Sequence, residues 1–376
     1  MGRLLLLMAL ALLVAAPVAG AAQRRVPQSF YGVVWDRAVT DASFDQQDAQ
    51  WSLMARSGVE SVRTAFRWRE AQPDPGVAPD FTRTDRIVEL AVRHGITVLP
   101  VVYGTPPWAA RHPARGEASP PRRATDWAAY LRQLVLRYGP DGSFWAEHPE
   151  LPVRPLRDWQ IWNEPHLGAY WYAKRGNAWA RGYTRLLRAS KRAIEAADPR
   201  ARIVLAAMAD YVWRHLARLY RAGAGGHFDV ATVNLFTART RFVMAGVRLF
   251  RRVMRRHGDA RMQVWLTETT WPAGKDRVPT PEPAWQRAWY TTDAGMAKRL
   301  RGVYSLAASR RRRLRLTRVY WYTWASAYAD GDLFDYTGLV RYDGGAFERR
   351  PALAVYRASA RRHQGCVKTS AGTCAR

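Results

Sequence analysis

Eight strand-like runs alternate with eight helix-like runs between Phe30 and Arg362, and this alternation constrains the chain more than any other feature. Strands that recur every few dozen residues, each followed by an amphipathic stretch, build parallel βαβ units. Strands are expected at Phe30–Asp36, Val59–Trp68, Ile96–Tyr103, Asp158–Asn163, Arg202–Ala209, Phe228–Leu235, Gln263–Thr267 and Arg318–Trp324. The intervening helices are expected at Asp45–Arg56, Arg83–Arg93, Thr125–Tyr138, Ala178–Ala197, Tyr211–Ala222, Phe242–Arg256 and Ala284–Ala308, with a last one at Pro351–Arg362. The third strand is apolar almost throughout, as strands covered on both faces are. Eight such units predict an α/β fold, a closed (β/α)8 TIM barrel occupying residues 23–362 as a single domain.

The 376 residues, 48% of them hydrophobic, suffice for one large core, and no linker or low-complexity segment divides them. Arg3 precedes an apolar run from Leu4 to Ala19 and the small residues Gly20, Ala21 and Ala22. That pattern reads as a secretory signal peptide over residues 1–22 and predicts a secreted, extracellular protein without stable membrane insertion after cleavage. The two cysteines, Cys366 and Cys374, lie in the tail at 363–376, where a disulfide between them would close a small loop.

A formal charge of +28 raises the question of anionic partners. Only five of the 59 basic residues are Lys, a skew that coding bias can produce. The densest run, Arg310 to Arg313 with Arg315 and Arg318, enters the eighth strand and so belongs to the bottom of a barrel, away from the loops that build active sites. An acidic cell-wall polymer could be held there. Nucleic acid is not expected, because no helix-turn-helix, zinc or single-strand-binding signature accompanies the charge. No metal or other cofactor is expected either: the eight His are scattered and no HxH or HExxH spacing occurs.

Two carboxyl groups stand out by position. Glu164 closes Trp162-Asn163-Glu164-Pro165 after the fourth strand, and Glu268 lies in Thr267-Glu268-Thr269 at the end of the seventh. Paired strand-end glutamates point to acid/base chemistry on a sugar, and the long loops leaving strands three, four, seven and eight carry aromatic residues suited to sugar faces. Among the 17 Trp, Trp108, Trp171, Trp271 and Trp324 are candidates for the cleft, with Trp324 as the floor and Trp321 on the opposite strand face. Trp51, Trp127, Trp145, Trp179, Trp285 and Trp289 are expected in the core. His166 lines the cleft in this reading, and Arg67, Arg69 and Arg111 would suit an acidic substrate.

These motifs resemble the retaining glycoside hydrolases of the (β/α)8-barrel clan A, family 5 and family 39 in flavour. Besides the two glutamate motifs, the likeness includes Ser61 to Trp68 on strand two, Val101 to Ala109 after strand three, Gly338-Leu339 and Arg350-Pro351-Ala352. The resemblance implies a secreted hydrolase cleaving an oligo- or polysaccharide by double displacement, with Glu164 as acid/base and Glu268 as nucleophile. Arg63 would stabilise ionised Glu268, and Asn163 would bond the sugar 2-hydroxyl. Strand six departs from the pattern: where the resemblance implies His and Tyr, the chain has Asn234 and Phe236. A non-catalytic glycan-binding barrel is therefore the second reading.

Overall fold

The computed structural model describes residues 23–173, 176, 178–275, 277, 284–329, 332–365, 367–368 and 374–375. The expected signal peptide and the Cys366–Cys374 pairing lie outside the described residues, as does the Trp285 side chain.

Strands β1 (Tyr31–Trp35), β2 (Ser61–Arg67), β3 (Thr97–Tyr103), β4 (Asp158–Ile161), β5 (Arg202–Val204), β6 (Val230–Asn234), β7 (Gln263–Thr269) and β8 (Leu316–Trp321) close into a parallel barrel in sequence order. The protein is thus a (β/α)8 TIM barrel. Its principal outer helices are α1 (Phe44–Arg56), α2 (Thr82–Arg93), α3 (Ala124–Tyr138), α4 (Ala178–Ala197), α5 (Val212–Arg221), α6 (Thr240–Arg256), α7 (Asp293–Leu314) and α8 (Pro351–Gln364). Local sequence sets several boundaries. A capping box, in which Ser43 and Gln46 exchange side-chain and backbone bonds, starts α1. Gly365, at φ 81°, ends α8 where a side chain would strain the turn.

Two elements differ from expectation. The single long seventh helix is divided into Ala284–Trp289 and α7, where Thr292 caps the new start by accepting from Gly295 N. The arginine run 310–313 forms the last turns of α7 rather than a loop. Arginine is a good helix former, and its charge complements the helix C-terminus.

The barrel interior is layered. Near the bottom, the Arg318 guanidinium lies 4.0 Å over the Trp265 ring and 2.8 Å from Asp158. Above it Tyr320 reaches the Ser61 hydroxyl at 2.7 Å, and Gly32 opposite leaves the room this ring needs: a Cβ there would stand 2.4 Å from Tyr320 Cδ1. Higher still, Gln160 links β4 to Thr232 on β6. Trp51, Trp127, Trp145, Trp179 and Trp289 are buried in the outer core. Among the described residues, no helix is long and apolar enough to cross a membrane.

Candidate active site

Both glutamates stand at the C-terminal mouth of the barrel. A cavity of about 550 Å³ there is lined by Glu164, Glu268, Arg63 and Asn163, together with Tyr103, Tyr170, Phe236, Tyr322, Asp36 and Arg37. The chain around Glu164 is bent sharply: Trp162 and Glu164 adopt φ values of 71° and 42°, a region non-glycine residues rarely occupy. Bonds from Trp162 N to Val102 O and from Glu164 N to Ala207 O tie this hook to β3 and to the segment that follows β5. Such over-determined backbone gathers at functional sites.

Arg63 organises the floor. Its Nη1 donates to Glu268 Oε1 at 2.5 Å, its Nη2 to Asn163 Oδ1 at 2.9 Å and its Nε to Gln160 Oε1 at 2.7 Å. Guanidinium planarity explains how three partners from two strands are held at once. Asn234 performs a similar service from β6. A register shift after Val233 sets it beside Glu268, and its Nδ2 donates to Glu164 Oε1 at 2.9 Å. Thr267 Oγ1, 2.9 Å from Asn234 Oδ1, fixes which end of the amide faces the carboxyl.

The two carboxyls differ in environment. Burial first, then the charge of Glu268, pushes Glu164 up to about 8, against the pull of its bond from Asn234. Burial raises Glu268 too, yet Arg63 opposes that rise through both charge and hydrogen bonding. The single proton such a pair retains at neutral pH therefore belongs on Glu164.

Five expected cleft residues lie elsewhere. Trp324 is fully buried and donates its indole N–H to Gln50 Oε1 at 3.1 Å. Counting alternate residues fails for it because β8 ends at Trp321, and the pocket-facing ring is Tyr322, which continues the inward side of Tyr320. Trp271 is also fully buried, bonding Thr237 O and packing on Trp321. Trp108 turns to the β2 loop, where it donates to Gln72 O and meets the Trp68 ring edge-on. His166 packs against His215 at 4.3 Å between ring centres, with Trp179 beside both. Burial pushes His166 down to about 3 and His215 down to about 4, so both are neutral. Trp171 likewise packs inside, against Trp162.

Tyr322, Tyr170, Asp36 and Arg37 were not singled out by sequence. Tyr322 could have been found from the inward parity of Tyr320; Tyr170 and Arg37 sit in loops, where parity says nothing. Among the described residues, no group of three His, Cys, Asp or Glu could hold a metal ion.

No protein-family model matches the sequence, and a search of curated proteins finds no significant match. Solved structures do resemble it. A monomeric β-xylosidase from Caulobacter crescentus CB15 superposes with a TM-score of 0.63 at 18% identity, covering 90% of this chain and 69% of its own. The GH39 enzyme from Xanthomonas axonopodis pv. citri gives 0.61 at 20% identity, covering 88% and 66%. A β-glucosidase from Thermotoga maritima gives 0.62 at 10% identity, covering 91% and 99%. These likenesses share the barrel fold.

Proposed function

We propose that the protein is a retaining glycoside hydrolase acting on an oligo- or polysaccharide. The observation that carries this reading is the unequal treatment of two buried carboxyls in one cavity, Arg63 on Glu268 and a raised, protonated Glu164. Glu164 donates its proton to the departing glycosidic oxygen while ionised Glu268 attacks the anomeric carbon and forms a glycosyl-enzyme. Water, deprotonated by Glu164, then releases the sugar. Asn163, its amide oxygen engaged by Arg63, has its NH₂ free for the sugar 2-hydroxyl. Tyr322, beside Glu268, provides the ring face for the reacting sugar.

Two further features support the reading. The cavity shares Asp36, Arg37, Thr64 and Arg67 with a neighbouring one of about 730 Å³, which gives a groove longer than one sugar. Glycosidases also recur among the similar folds, including the xylosidase and the glucosidase named above. Export of the protein is part of the proposal, and the N-terminal residue of the purified secreted form tests it.

A second reading, a glycan-binding barrel without turnover, is favoured by one observation: Phe236 lines the cavity where the family resemblance implies a Tyr. Aryl glycosides and a polysaccharide panel, with product anomers followed by NMR, separate the two. Release of the retained anomer, abolished in Glu268→Ala, is expected. An inverted first product would remove Glu268 from the nucleophile's role, and binding without new reducing ends would establish the second reading.

A further inference from the structure

A second cleft, about 370 Å³, opens between the loops that follow β3 and β4. We propose that it binds an anionic sugar unit, one bearing a carboxylate or a sulfate, on the leaving-group side of the catalytic cavity; the word leaving-group rests on the proposed role of Glu164. Arg111, Arg122 and Arg185 line this cleft with His112, and no carboxylate does. None of the three guanidiniums has an acidic partner among the described residues; Arg111 and Arg122 reach only backbone carbonyls. The neighbouring groove is the opposite case: Arg37 pairs with Asp335 and Asp332, Arg67 with Glu70, and Arg83 with Asp41.

The positions of these arginines are built into the backbone. Ala110 and Pro121 form an antiparallel bridge, flanked by bonds from Arg111 N to Pro120 O and from Arg122 N to Ala109 O. This bridge holds Arg111 and Arg122 on adjacent arms, where like charges repel unless an anion lies between them. Arg185 faces them from α4, and Gly182, one turn earlier, lets that helix close on Trp171: a Cβ there would stand 3.0 Å from the ring. Guanidinium groups converging on a concavity match planar or tetrahedral oxyanions through paired charge-assisted bonds.

The cleft and the catalytic cavity share one wall. Tyr170 lines the cavity, while its neighbours Trp171 and Tyr172 line the cleft. Trp171 packs on Trp162, whose indole donates to Tyr170 O two residues before Glu164, and Tyr172 N bonds Ala118 O across the two loops. The two have no lining residue in common, so a saccharide on the Glu164 side reaches the cleft by crossing over Tyr170.

Calorimetric titration of the Glu268→Gln protein with tetragalacturonate, a chondroitin sulfate tetrasaccharide and neutral cellotetraose tests the proposal. At least one acidic oligosaccharide should bind at least tenfold tighter than the neutral one, and its affinity should fall as salt is added. Removing two guanidiniums in Arg111→Ala/Arg185→Ala should weaken acidic binding roughly a hundredfold, with an unchanged thermal midpoint because both side chains are exposed. Preference for galacturonate identifies a carboxylate site, and preference for the chondroitin fragment a sulfate site. Equal affinity for the neutral sugar, or acidic binding that survives the double replacement, overturns the proposal. Turnover is not read, so a catalytically silent protein would still answer the question.

Discussion

Arg63 and Glu268 approach to 2.5 Å at the barrel mouth, both shielded from solvent, with the guanidinium's remaining edges engaged by Asn163 and Gln160. A buried charge pair of this kind contributes little net stability, but breaking it from one side strands the other charge at a cost of about 3–5 kcal/mol. Its weight in this protein is electrostatic: it decides which of two neighbouring carboxyls is ionised. Replacing Arg63 by Met should therefore lower kcat/KM by about a hundredfold or more and lower the thermal midpoint. It should also shift the acidic limb of the pH–rate profile upward, since Glu268 would no longer ionise readily. An unshifted acidic limb would show that the guanidinium does not control Glu268.

In the proposed mechanism, protonated Glu164 sets the other limb. With its carboxyl raised to about 8, activity that needs the acid form should fall off above that pH. The same shift fixes a stability trend. A carboxyl raised in the folded state binds more protons folded than unfolded, so its contribution is complete below the unfolded value near 4.5 and is lost as pH rises to about 8. Glu268 is raised in the same direction and adds the same sign. Urea midpoints of the wild type should fall between pH 5 and 8, and Glu164→Gln should flatten that decline. An equally steep decline in the variant would locate the titrating group elsewhere.

Asn234 offers a finer adjustment of that limb. Its amide N–H stabilises ionised Glu164, so Asn234→Ala should raise the Glu164 value further and carry the alkaline limb upward by about one unit, the equivalent of one hydrogen bond to a charge. A KM change with an unmoved limb would make Asn234 a packing residue only.

How far the sequence reaches is visible in these same residues. The eight strands, and the placement of Asn163, Glu164 and Glu268 at one end of them, follow from apolar periodicity and strand-end position. Both survive small errors in strand boundaries. Arg63, inside β2, was reached only through the family resemblance. Trp324 was favoured over Tyr322, two residues nearer on the same parity, because alternation holds only while the chain remains in the strand, and β8 stops at Trp321. The bond from Asn234 to Glu164 depends on a register shift between β6 and β7, which no single-strand pattern reports. Trp108, Trp271 and His166 were read by residue type in long loops, where the fold is free to turn a large ring inward and did so.

Exchanging the roles of Tyr322 and Trp324 has a direct experimental consequence. Trp324→Phe deletes one buried bond to Gln50 and should cost about 1–3 kcal/mol of stability with KM unchanged. Tyr322→Ala removes the ring from the cavity wall and should reduce kcat/KM on aryl glycosides by more than tenfold. Denaturant titration beside steady-state kinetics distinguishes them. A kinetic defect in the Trp324 variant with normal stability would restore the indole to the sugar site.

At the far end of the barrel, Asp158 Oδ2 stands 2.8 Å from Arg318 Nη2, while its Oδ1 takes Arg202. Arg318, partly shielded from solvent, also lies over the Trp265 ring, so this carboxylate is the counter-charge that makes a cationic barrel floor tolerable. Asp158→Asn keeps the shape and one acceptor but removes the charge, and should destabilise the protein by about 1–3 kcal/mol. Because the change lies at the opposite end from Glu164 and Glu268, kcat per folded molecule should be preserved. Thermal denaturation with active-site titration measures both quantities, and a variant that keeps its stability would mean that the Trp265 face and solvent suffice for Arg318.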